Sequence, residues 1–178
     1  MPDSDTGAPP RVVLVTAAAL AVALAVAVAV FALTRPSPAD SAGPLPLVAV
    51  PAPFAGSPGC TTLLGAVPTE LTSNGDALKV RALADPAPPA TVAWGAGDPV
   101  VLRCGLDRPP ELTPTAQLRL VNKVQWLQVP GEGASTWYVV DREVYAALTV
   151  PDSAGTGPLQ AISDTVAAKL APKPLRFS

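Results

Sequence analysis

Between Val12 and Leu33 the chain reads VVLVTAAALAVALAVAVAVFAL, 22 residues without a charge and with Thr16 as the only polar side chain. Coiled as a helix, such a run is about 33 Å long, against a hydrocarbon core of about 30 Å. The alternation in AVALAVAVAV imitates a strand, but both alternating partners are apolar, so length decides. Within lipid no water satisfies backbone N–H and C=O groups, and only a helix satisfies its own. The run exceeds the roughly 7–15 apolar residues of a signal peptide, and no small-x-small site follows it closely. PADSAG, at Pro38 to Gly43, is distant. An uncleaved anchor is therefore expected, with the lipid bilayer contacted through residues 12–33.

Charge sets the topology around that anchor. Arg11 and Arg35 flank it on opposite sides, so the positive-inside rule leaves both orientations open. The short segment ahead of Arg11 places the N-terminus in the cytoplasm by default. The expected organisation is a cytoplasmic tail (1–11), a transmembrane helix (12–33), a proline-rich tether (34–59) and an extracytoplasmic domain (60–178). The formal charge of −2 is spread without a basic stripe, so no nucleic-acid partner is expected.

The tether carries seven prolines from Pro36 to Pro58 and reads as extended and stiff, with Leu47–Val50 as a first edge strand. Ser57-Pro58 is a helix start, serine as N-cap and proline at the first helical position. That helix should run to just before Pro68 and bury Leu63 and Leu64. Ala77 to Ala84 alternates as a half-buried strand does. Two hairpins follow: ATVAW and PVVLRCGL about Gly95–Asp98, then NKVQWLQV and STWYVVD about PGEGA. REVYAALTV is a strand with Val144, Ala146, Leu148 and Val150 on one face. A final helix spans Pro158 to Ala171, its apolar stripe formed by Leu159, Ile162, Val166 and Leu170. Helix, antiparallel strands, helix is an α+β order, with two helices covering one face of a sheet.

The chemistry open to this domain is narrow. The sequence contains no histidine, which excludes Ser-His-Asp and Cys-His nucleophiles and the usual zinc sites. No phosphate-binding glycine loop is present, and no cofactor or metal is expected. Asp98 with Asp107, or Asp141 with Glu143, could be brought together for acid–base work, although charges near strand ends are usually solvated. Cys104, beside Arg103 and Arg108, could be an activated thiolate. An exported domain with two cysteines, Cys60 and Cys104, more simply forms one disulfide. Trp94, Arg103, Arg108 and Arg142 are the candidate contacts for a ligand or partner, the arginines as fixed cations for carboxylate or phosphate. Pairing with Asp107 or Asp141 is their alternative role.

CTTLLGAVP (Cys60 to Pro68), AWG (Ala93 to Gly95), VVLRCGLDRP (Val100 to Pro109) and VNKVQW (Val121 to Trp126) together resemble an actinobacterial family of single-pass membrane proteins, domain of unknown function 3515. The resemblance extends from Cys60 to about Leu170 and implies a short tail, one span, a proline-rich tether and a domain with paired cysteines. It implies no catalytic residues. Three functional readings stand: a non-catalytic interaction or assembly component of the cell envelope with a protein partner, a binder of a small anionic or wall-derived ligand, and an envelope enzyme. The first is preferred, and no enzyme activity is expected. A cavity with two convergent charged groups would favour the second or third reading, and a flat apolar patch the first.

Overall fold

A computed structural model describes residues 11–34 and 43–177 and divides the chain into two units, Met1–Ser37 and Pro38–Ser178. Most of the expected cytoplasmic tail and residues 35–42 of the expected tether lie outside the described residues. In the first unit the apolar run forms helix α1, Arg11–Thr34. Every side chain from Val12 to Phe31 is exposed. Thr16 is satisfied within it, its Oγ1 donating to Val12 O and Val13 O at 3.0 Å. An apolar helix with its one polar group internally bonded is compatible with a lipid environment.

The second unit is α+β. Helix α2 (Pro58–Leu64) is followed by eight strands: β1 (Glu70–Ser73), β2 (Asp76–Arg81), β3 (Thr91–Trp94), β4 (Val100–Leu106), β5 (Leu118–Val121), β6 (Val124–Pro130), β7 (Ala134–Val139) and β8 (Tyr145–Pro151). Helix α3 (Gly157–Lys169) closes the series. The strands form one antiparallel sheet in the order β1-β2-β3-β4-β8-β7-β6-β5. The sheet curls, so α3 touches β1 at one edge and β5 at the other. Both long hairpins pair as expected, Trp94 opposite Val100 and Pro130 opposite Ser135.

The main core lies between the sheet and the two helices. Trp94, Leu102, Trp126, Leu148 and Ile162 are fully buried there. The expected face of β8, Val144 through Val150 at every second residue, belongs to it. So does the full stripe of α3. Buried indoles need partners for their N–H groups. Trp94 Nε1 donates to Pro68 O at 2.8 Å, and Trp126 Nε1 to Ser163 Oγ at 2.9 Å. Cys60 and Cys104 are joined as a disulfide, with both residues buried and Cα atoms 5.6 Å apart.

Several local expectations are corrected. Leu47–Val50 is not a strand; Leu45 alone makes a parallel bridge to Leu83. The α2 helix stops at Leu64, capped by Gly65, and Leu64 is only half-buried. β2 ends at Arg81, and Val80 is 46% exposed. Asn122 and Lys123 form a two-residue turn at positive φ (44° and 67°) rather than the start of β6. β1 and β5 are additional strands. β1 joins β2 through Asn74-Gly75, with φ of 51° and 91°.

Candidate functional site

The site begins at an irregularity in β4. Cys104 pairs with Ala146, but Leu106 pairs with Tyr145, so Gly105 is an extra residue, a β-bulge at φ 84°. By strict alternation Leu106 would share the face of Leu102 and Cys104. The inserted residue turns it into a second apolar cluster with Leu112, Leu127, Val140, Tyr145 and Ala147. Gly105 is also where the incoming chain docks. Phe54 N donates to Gly105 O at 2.9 Å, and a Cβ on Gly105 would collide with the backbone of Phe54 and Ala55. The described part of the expected tether is thus bonded to the domain, at Gly105 and again at Leu45, whose N donates to Ala82 O at 2.8 Å.

Docking at the bulge encloses a cavity of about 420 Å³ between Phe54 and Ser57 on one side and Leu106 and Arg108, at the end of β4, on the other. The approach to β8 adds Glu143, Val144 and Tyr145, and the C-terminal segment adds Arg176. Each arginine is held by backbone carbonyls. Arg108 Nη1 donates to Leu112 O at 2.8 Å. Arg176 Nη2 donates to Arg142 O at 3.1 Å and to Glu143 O at 2.9 Å. Its guanidinium carbon lies 5.1 Å from the centre of the Tyr145 ring, a cation–π contact, and Tyr145 Oη donates back to Arg176 O at 3.3 Å. Among the described residues neither arginine is in a salt bridge, and the Glu143 carboxylate has no bonded partner. The cavity therefore carries two positioned cations and one carboxylate, all three side chains exposed and unneutralised.

The four residues singled out by sequence are not gathered here. Only Arg108 lines the cavity. Trp94 is fully buried and presents no face to solvent. Arg142 is 2% exposed and takes the pairing role: its Nη1 meets Asp141 Oδ2 at 2.7 Å, and its Nη2 donates to Lys123 O at 3.0 Å. Arg103 sits in mid-β4 on the second face, with a buried Nε that bonds to nothing among the described residues. Burial lowers its pKa, opposed by Tyr138. The Tyr138 phenol is pushed up by burial and by Glu111, with Arg103 opposing.

The carboxylate pairs are also separated. Asp98 and Asp107 flank opposite ends of β4. Asp141 is buried in its ion pair whereas Glu143 is exposed, because β8 begins only at Tyr145 and no strand aligns the two. Sequence reasoning missed Arg176, Phe54 and Tyr145 as cavity residues. Arg176 had no periodic or motif signal, standing alone in a proline-rich terminal segment.

A family model described as "Protein of unknown function (DUF3515)" matches residues 18–175, and the chain belongs to that family. No curated protein and no solved structure matches it.

Proposed function

We propose that this protein is a membrane-anchored binding module of the actinobacterial cell envelope, its N-terminus cytoplasmic and its disulfide-bonded domain outside, which recognises a small anionic ligand without catalysing its conversion. The reading rests above all on one observation. Arg108 and Arg176 are held at the wall of one cavity by backbone carbonyls, with no ion-pair partner among the described residues. Fixed guanidiniums suit carboxylate or phosphate groups because their donor forks need little ordering on binding. This favours ligand binding over the partner-protein reading preferred from sequence alone. The non-catalytic part of the reading is supported by the disulfide that consumes the Cys104 thiol and by the separation of both candidate carboxylate pairs.

Two experiments test it. In thermal melts of the full chain in detergent micelles, phenylacetate, phenyl phosphate and leucyl-leucine form the starting panel. At least one should raise the melting temperature saturably, and the Arg108→Ala/Arg176→Ala double variant should lose that shift. A panel without any shift would return the assignment to a protein partner, for which Leu120, 74% exposed on edge strand β5, offers a contact. For location, protease added to intact spheroplasts should digest the domain down to a membrane-embedded stub. A mature chain beginning near Gly43 and free in the medium would overturn the anchor.

A further inference from the structure

An anion drawn in by Arg108 and Arg176 also meets Glu143 at the wall of the same cavity. No described group neutralises that carboxylate, so a plain anion is repelled by it. A ligand with opposite charges at its two ends turns the repulsion into attraction. Arg176 is bound to the backbone oxygen of Glu143, yet the two side chains make no salt bridge, so each keeps its charge available. The same lining includes the apolar or aromatic residues Leu106, Val144, Phe54 and Tyr145.

We propose that the cavity selects a zwitterion with an apolar body, a short peptide with free amino and carboxyl ends. Its carboxylate is held by Arg108 and Arg176, and its ammonium faces Glu143. The inference rests on the reading of this cavity as the ligand site and adds the ligand class. The volume of about 420 Å³ falls within the range of small-molecule sites and suits a dipeptide-sized ligand.

The test is calorimetric titration of the full chain in micelles with leucyl-leucine, N-acetyl-leucyl-leucine and leucyl-leucinamide. N-acetylation removes one ion pair in a part-open site and should weaken binding about fivefold, and amidation, which removes the pairs with both arginines, should weaken it at least as much. Glu143→Gln should erase the difference between the free and N-acetylated forms. Arg108→Ala and Arg176→Ala should each reduce the difference between the free form and the amide, and the double variant should erase it. Equal binding of the free and N-acetylated dipeptides by the unaltered protein would overturn the zwitterion assignment and leave anion binding standing. No binding by any of the three, together with a silent panel of carboxylates and phosphate esters, would remove both.

Discussion

On one face of the sheet, Trp94, Leu102, Trp126 and Leu148 are sealed beneath α2 and α3, and Cys60–Cys104 ties α2 to β4. On the other, Leu106, Leu127 and Tyr145 lie under irregular chain: Leu112 and Ala116 from one loop, Leu175 from the C-terminal segment, Ala52 from the incoming arm. A covering helix satisfies its own backbone and needs to contribute only an apolar stripe. An irregular cover has carbonyls and amides left over, and these require partners. Here long charged side chains supply many of them. Arg108 bonds Leu112 O, Arg142 bonds Lys123 O, and Arg176 bonds Arg142 O and Glu143 O. The charged cavity sits at the rim of the second face because two of the side chains that clamp the irregular cover, Arg108 and Arg176, have no ion-pair partner among the described residues.

The comparison breaks most readily at the cross-link. Closing 44 positions of chain between Cys60 and Cys104 should contribute about 4 kcal/mol in the chain-entropy account. Cys60→Ser and Cys104→Ser should each lose that amount in urea melts, and the double variant should be no worse than either single one. Rapid labelling of Cys104 in the native, unreduced protein would contradict the bond and revive the reactive thiolate.

Next comes the ion pair that ties the second face to the terminal segment. Asp141 O accepts from Lys173 N at 2.9 Å while its carboxylate neutralises Arg142, which is 2% exposed. Asp141→Ala should cost about 3 kcal/mol by stranding that guanidinium. Adding Arg142→Met should restore much of the loss, because no buried charge then remains unpaired. A double variant as unstable as Asp141→Ala would show the pair to be secondary to packing.

A smaller effect separates the two cores directly. Leu112 and Ile162 are both fully buried, one on the covering loop between β4 and β5 and the other on α3. Leu112→Ala should cost about 2 kcal/mol, the low end for such a change, since a loop can settle into the space that a helix leaves empty. Equal losses at the two positions would mean that the irregular cover is as rigid as the helical one.

The smallest stability change is expected at Arg176. Its side chain is exposed, so Arg176→Ala should cost about 1 kcal/mol through the lost cation–π contact and carbonyl bonds. Amide exchange should quicken in the terminal segment and remain unchanged in β4 and β8. Uniform quickening across the sheet would show that the segment supports the whole fold.

Where a segment is periodic and regular, its residues alone determined what it became. Length and lack of charge decided α1; period two decided the buried face of β8; steps of three and four decided α3. Repetition makes such signals robust, because every residue on a face meets the same environment. Shorter elements were less legible. β1 has four residues, although Asn74-Gly75 beside it carries the strongest local hairpin signal. β5 is short with two exposed residues, and Asn122-Lys123 read as strand because nothing but backbone geometry marks the turn. The cavity was illegible for a different reason. It depends on one extra residue at Gly105, on an arm that docks there, and on Arg176, which reaches the carbonyl of Glu143 across 33 positions of sequence. None of these repeats, so no local pattern records them. Which arginine would be buried with Asp141 and which would face a cavity was decided only when the chain folded, by the backbone groups that its irregular segments left unsatisfied.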